Sequence, residues 1–463
     1  MVGFVCLLLC LCMYVECFVS QAPGLVSVRS VTGLNCIPVP EKSAYTTFGL
    51  GSIAFSLLPL SPEAVGRRKT ILTEVVPGKV YTLDQRQGII NVDVPVRATI
   101  IKLKDGLFVH NPVAPTPEAL SMVKTLERQL GAKVKYIALA TLGIEHKGTC
   151  GAFAAKFPGS TIFIQPGQYS FPLQLPQSFF FPPTCSIQPM PESSREAPWG
   201  GEVDHAILGP LKPPGVGGFS ETAFFHRDTK TLILTDTIVD VRDEPPAIIA
   251  EDPRALLYHA RDTMFDVVEN SPANRRKGWR RMTLFGLTFQ PAGIDIKDTF
   301  ETLKLLDKVP AEMKKLGEGA IPFDGGFYPW EWVEDDKPSF DALKDGLLVA
   351  PILQKLILNR DPEIVLAWAD RVAQWPFTRI IPCHFANDIR AGPAEFRRAF
   401  NFLEEDPANG GIGQLMSALG LTARSFKAAP RALPRDGKLL SDASESLTEK
   451  GVLYPEAPLV KRS

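Results

Sequence analysis

Glu145 and His146 stand side by side in a chain that has only six histidines among 463 residues. The pair falls in a polar turn after an apolar, β-branched run at 134–140, which reads as a buried strand. A small-residue helix at 149–157, stopped by Pro158 and Gly159, and a second β-branched run at 161–165 complete a strand–turn–helix–strand unit. An acid and an imidazole at the carboxyl end of a strand occupy the place where open α/β sheets bind ligands. Two further strand ends carry similar groups. The run from Thr231 closes on Asp236, and a strand at 377–381 leads into Pro382, Cys383 and His384. Singly, each has a plain structural explanation. His146 can cap backbone groups, and Asp236 or His384 can order the loop that follows. Their joint placement at three strand ends favours a site.

Other chemically able residues are weaker. Cys150 and Cys383 lie near His146 and His384 in sequence, but the spacing does not demand a nucleophile–base pair and buried free cysteine is common. Glu221 and His226 flank one short strand, and Glu202, Asp204 and His205 another. At most one of His205 and His226 is expected near the site.

The positioning elements follow from periodicity. Strands are expected at 80–83, 88–94, 97–102 and 106–110, with Lys104-Asp105-Gly106 as a hairpin turn. An amphipathic helix runs from Thr116 to a stop at Gly131. Residues 167–200 are rich in Pro and Phe and read as irregular connection. A long, mostly helical insertion spans 241–350, followed by a helix at 361–375, the strand at 377–381 and a last helix at 396–405. The tail from Ala428 is polar and Pro-rich and reads as loose, within an extension at 406–463.

The composition is that of a globular chain, 45% hydrophobic and 22% charged, with room for a sizeable core. A formal net charge of −1 leaves no field to draw nucleic acid, and no nucleotide loop or zinc finger occurs. Residues 1–17 form an apolar run read as a signal peptide, too short for a permanent span. Residues 18–75 begin with Phe18 and are hydroxylated and acid-poor as far as Glu41, the composition of a transit peptide. A second apolar stretch at 45–60 is either a thylakoid-transfer signal or a first buried helix. This order of parts looks like a presequence for plastids of secondary origin, stroma and thylakoid both remaining open, with secretion as the alternative. Four of the eight cysteines fall in the leader and Cys36 in the next segment, so no disulfide framework is expected. The basic segment with Arg275, Arg276, Lys277, Trp279, Arg280 and Arg281 could touch a thylakoid surface, though such a run is more often a solvated loop.

Taken in order, the paired opening strands, the Lys104-Asp105-Gly106 turn, the helix and the strand ends at Glu145-His146, Asp236 and His384 resemble the metallo-β-lactamase superfamily over about residues 78–400. More narrowly, the chain resembles an uncharacterised domain-of-unknown-function branch of plants, algae and bacteria. The resemblance implies an α/β fold, an αββα sandwich of two mixed sheets with helices on both outer faces. The family's His-x-His-x-Asp-His signature stands here as Thr141-Leu142-Gly143-Ile144-Glu145-His146, so two histidines are replaced and Asp becomes Glu. The later histidine has no counterpart in Gly217-Gly218-Phe219-Ser220. Asp236 matches the bridging carboxylate expected to act in catalysis, and His384 the last ligand, in Pro-Cys-His where the family has Pro-Gly-His. His110 lies where the family places an Asp that orients ligands.

Most of the first metal site is therefore missing. Glu145, His146, Asp236 and His384 remain as two carboxylates and two imidazoles, a set resembling the family's second site. It would hold one divalent transition metal, with Zn, Fe and Mn equally suited, or none. A mononuclear hydrolase of a small-molecule ester, thioester or phosphoester follows. The alternative is a catalytically degenerate fold serving as a binding or assembly module.

Overall fold

Alternation of side chains along the strands sorts this chain into layers. The computed structural model describes residues 69–89, 92–168, 181, 186–211, 218–316, 325–344, 346–405 and 434–461. β1 (Thr70–Val76), β2 (Val80–Ile89), β3 (Val92–Leu103) and β4 (Gly106–His110) pair antiparallel in sequence order. β5 (Val134–Leu139), β6 (Thr161–Ile164) and β7 (Ser186–Pro189) then join in parallel, completing a seven-stranded mixed sheet. Two expectations change here. The sheet starts at Thr70, ahead of the expected 78, and the separate strands at 80–83, 88–94 and 97–102 are the two long arms of one hairpin. Asp84, Gln85, Arg86 and Gln87 break the apolar pattern without breaking the ladder, which is why they read as a gap.

The second sheet opens with β8 (Val203–Leu211), β9 (Phe219–His226) and β10 (Thr231–Ile233), paired antiparallel. The chain then leaves it for the insertion, which among the described residues holds the two-stranded ladders of β11 (Val239–Asp240) with β14 (Leu347–Leu348) and β12 (Ile294–Ile296) with β13 (Trp330–Trp332). After the Pro362–Val372 helix, β15 (Arg379–Ile381) returns to lie parallel to β10, giving the order β15-β10-β9-β8.

Three apolar clusters show the stacking. Leu107, Val109, Ile137, Leu139 and Ile162 point outward onto Val123, Leu126 and Phe153 of the Pro117–Leu130 and Ile144–Ala154 helices. The residues between them in sequence, Phe108, Tyr136, Ala138 and Phe163, point inward to meet Phe224 and Ile233 of the second sheet, with Trp199 among them. On the far face Ala223, Phe225 and Leu232 meet Val365, Trp368 and Val372 of the Pro362–Val372 helix. Period-two alternation thus sends neighbouring residues into different layers. The result is the expected αββα sandwich.

Other expectations change in detail. The helix at 149–157 begins earlier, as Ile144–Ala154, so Glu145 and His146 lie in its first turn and not in a free turn before it. The helix at 361–375 is Pro362–Val372, and 396–405 resolves into Pro393–Arg398 plus a short Asn401–Leu403 turn. The basic segment is no solvated loop. It lies in the Pro272–Thr288 helix, where Trp279 and Arg281 are buried and Arg280 and Arg281 both pair with Asp336. The tail also folds. Its Pro434–Glu449 helix buries Leu440 in the core, and Val460 exchanges backbone hydrogen bonds with Leu403 and Glu405. The leader, residues 18–68 of the transit-like segment and the apolar stretch at 45–60 lie outside the described residues, while residues 70–75, assigned to that segment from sequence, belong to β1 of the folded domain. Among the described residues no helix is long and apolar enough to cross a membrane.

Candidate metal centre

Four strand ends converge at one edge of the sandwich. β4 leads into His110-Asn111, β5 into Ala140-Thr141, β10 into Thr235-Asp236 and β15 into Cys383-His384. The two sheets are tied there by the bridge between Thr141 and Glu221 and by the Thr222 N–H, which donates to Ala140 O at 2.9 Å. β10 and β15 continue their ladder past the strand ends, Leu234 N donating to Ile381 O and Cys383 N to Thr235 O. Asp236 and His384 are carried out side by side.

Glu145, His146, Asp236 and His384 are all buried, and one ligand atom from each lies within 4.8 Å of the others. His384 Nε2 sits 3.1 Å from Asp236 Oδ1, yet neither atom has a partner in hydrogen-bond geometry. Both ring nitrogens of His146, which is fully buried, also lack a hydrogen-bond partner. The two imidazole centroids are 5.5 Å apart. Buried polar atoms are nearly always paired. The His146 nitrogens, His384 Nε2 and Asp236 Oδ1, turned toward each other without such pairing, have the chemistry of a ligand set. The residues present therefore fit one divalent transition ion, with nitrogen and oxygen donors in equal number.

The surroundings suit that role. His384 Nδ1 lies 2.8 Å from Pro95 O, so its N–H is directed there and Nε2 keeps the lone pair. Burial holds His146 well below the ordinary imidazole range, with Asp236 opposing, so the ring is neutral as a ligand must be. For Asp236 burial opposes ionisation, while the His384 and His146 rings favour it. Glu145 sits in the first turn of its helix, where the backbone dipole favours negative charge. Gly143 leaves it room, since a Cβ there would come within 3.1 Å of the Glu145 carboxylate.

The match to a family model now becomes informative. Residues 77–402 match the family described as a domain of unknown function, DUF4336. The chain belongs to this family. Solved structures with metallo-β-lactamase folds are similar at low identity. A metallo-β-lactamase from Pontibacter korlensis is 10% identical, covering 59% of this chain and 98% of its own, with a TM-score of 0.30. The mono-zinc form of FIM-1 from Pseudomonas aeruginosa is 9% identical over 35% of this chain and 67% of its own, TM-score 0.26. The metal-soaked Flv1 flavodiiron core from Synechocystis sp. PCC6803 is 12% identical over 72% and 60%, TM-score 0.32. No curated protein matches the sequence. The layer order of the chain itself carries the fold.

Within this DUF4336 domain, several of the weaker candidates, His205, His226, Asp204, Glu202 and Cys150, are engaged elsewhere. His205 Nε2 lies 2.7 Å from Pro191 O, and His226 Nδ1 2.8 Å from Thr229 Oγ1. Asp204 pairs with Arg227 at the surface, and Glu202 accepts from Lys104 N. Cys150 packs in the outer core. Burial pushes the Cys383 thiol up, so it is a poor nucleophile at neutral pH. Thr141, where the family motif has its first histidine, accepts from Gly143 N at 3.1 Å and lies 3.5 Å from Asp236 Oδ2.

Three residues that sequence reasoning passed over or undervalued build the frame. Glu221 accepts hydrogen bonds from the N–H groups of Thr235, Asp236 and Thr237 and from the Thr237 hydroxyl, all at 2.8–2.9 Å. Burial, aided by the Asp236 carboxylate, pushes Glu221 up to about 7 against the pull of those donors. Arg97 pairs with Asp84 at 2.7 Å and donates to Pro382 O, Phe385 O and Ala386 O, gripping the loop around His384. Asn111 reaches both sheets. Charged residues inside strands otherwise buried were the available signal for Arg97 and Glu221, because such residues are rarely buried unpaired.

Proposed function

We propose that this chain is a mononuclear metalloprotein that hydrolyses a small-molecule ester, thioester or phosphoester in the plastid. The observation that carries the reading is the convergence of Glu145, His146, Asp236 and His384, all buried, within 4.8 Å, with both His146 nitrogens unpartnered. A bound ion would supply Lewis-acid polarisation and a water acidified to near neutral pH. His146 and His384 would hold it through neutral rings, and Glu145 and Asp236 would balance its charge. Asp236, fixed through its backbone N–H to Glu221, is held as a carboxylate beside the two imidazoles. The leader composition supports plastid delivery, to stroma or thylakoid. Any contact with an anionic membrane would rest on Arg275, since Arg276 and Lys277 pair with Glu244 and Asp262, and Arg280 and Arg281 with Asp336.

One observation favours a second reading, a fold whose ion braces a binding or assembly module. The four groups are at most 5% exposed, and a cavity of about 570 Å³ beside the 385–388 loop is lined by none of them. Metal analysis of the full chain beside a His146→Ala/His384→Ala double variant separates the cases. About one transition ion per chain, absent from the variant, supports the metal centre. No ion, with the variant equally stable, removes it. Turnover of a panel of simple esters, thioesters and phosphoesters by the loaded chain then decides between hydrolase and brace.

A further inference from the structure

We infer that Asn111 is the positioning residue that fixes the spacing between the three segments carrying the candidate ligands, an inference resting on the metal-centre reading above. Its side chain makes contacts in three directions. Oδ1 accepts from Ala140 N at 2.8 Å, at the start of the loop that leads to Glu145 and His146. Nδ2 donates to Thr235 Oγ1 at 2.9 Å, on the residue before Asp236. The same nitrogen lies 3.5 Å from Cys383 Sγ, on the residue before His384. The backbone N–H of Asn111 donates to Ala138 O at 2.9 Å, so the hub is anchored to β5.

Few residue types meet these demands together. Asn111 has a φ of 43°, in the left-handed region where a short polar side chain such as Asn is tolerated. Its amide offers an acceptor and two donors in one plane. It is fully buried, so each lost contact leaves a polar group without water. A carboxamide that touches the residue directly before two ligands, and the strand end leading to the other two, sets three ligand-bearing segments at once. Nearby His110 adds a weaker link, with Nδ1 3.8 Å from Cys383 Sγ and Nε2 3.5 Å from Thr235 Oγ1.

The test uses the full chain stripped with chelator and titrated with Co(II), whose d–d bands report ligand geometry. Three variants are compared with the parent. Asn111→Gly relieves the backbone and removes every side-chain contact. Thr235→Val is isosteric, removes a single arm and keeps a folded variant in the test whatever the glycine substitution does. Asn111→Asp keeps the acceptor and lets the Thr235 hydroxyl and Cys383 thiol turn to donate. Expected is a loss of Co(II) affinity of about 10–100-fold in the glycine variant, with shifted d–d bands. Thr235→Val should lose less in the same direction, and Asn111→Asp should restore the parental bands. Variants that melt earlier but bind Co(II) with unchanged affinity and spectrum would overturn the inference, because the residue would then be structural only. A parent chain that binds no Co(II) would overturn the metal-centre reading itself, and this inference with it.

Discussion

Replacing Arg97 by methionine removes one buried guanidinium and tests what holds the His384 loop in place. The Arg97 side chain is about 2% exposed and pairs with Asp84, itself 10% exposed, at 2.7 Å. Its strongest carbonyl contacts are to Pro382 O at 2.6 Å and Phe385 O at 3.0 Å. Removing one partner of a buried pair leaves the other charge uncompensated, at about 3–5 kcal/mol. The two carbonyl hydrogen bonds add about 1 kcal/mol each, while the methionine stem regains about 1–2 kcal/mol of burial. A net loss of about 4 kcal/mol is expected. Urea denaturation of the chelator-treated chain, followed by tryptophan fluorescence, measures it. The double variant Arg97→Met/Asp84→Asn should be more stable than the single, with a coupling of about 1–3 kcal/mol, since the stranded charge is gone. A single variant within about 1 kcal/mol of the parent, or a double variant that is simply additive, would refute the reasoning. The grip on residues 382–386 would then lie elsewhere.

Three other outcomes are expected. His110 is neutral in the fold and takes a proton only near pH 3, whereas unfolded it does so near its ordinary 6.5. Its contribution is therefore fully present above pH 6.5 and lost as pH falls toward 3, by up to about 5 kcal/mol; His110→Asn should flatten the acid limb of a stability–pH curve, and an unchanged limb would exclude the histidine as its source. A Cβ on Gly278 would lie 1.7 Å from Leu256 O, so Gly278→Ala should force apart the Arg254–Ala260 and Pro272–Thr288 helices and cost about 1–3 kcal/mol, visible as a lower thermal midpoint. Leu440→Ala should cost about 2–4 kcal/mol if the C-terminal helix is an integral layer and next to nothing if the tail is loose, a difference that denaturation and limited proteolysis both resolve.

The four clustered residues were legible because each lies in the segment that follows a strand, and strand ends are marked by composition: β-branched runs stop and polar residues begin. The layers were legible for a related reason, since alternation along β4, β5 and β9 assigns each residue to a face. The frame was harder to see. Arg97, Asn111 and Glu221 act through partners far away in sequence, and no local pattern encodes a guanidinium meeting carbonyls near residue 384. The Ile144–Ala154 helix began earlier than expected because Gly143 caps it without a side-chain signal and its first turn carries the very polar residues that suggested a loop. The tail misled by composition. Its helix turns Asp436 and Ser444 inward beside Leu440, so the buried face itself carries polar residues, while Leu440 and Leu453 fill the core.

The position of β15 in the second sheet has a consequence for biosynthesis. β10 pairs with β9 on one side as soon as both have left the ribosome, but its other side waits for β15, which is made only after the whole insertion. Until then β10 presents an open hydrogen-bonding edge, the kind of template on which partly made chains stick to one another. Products truncated before Arg379 keep that edge permanently. They should accumulate as aggregates or depend on chaperones, while chains that reach residue 381 bury the edge.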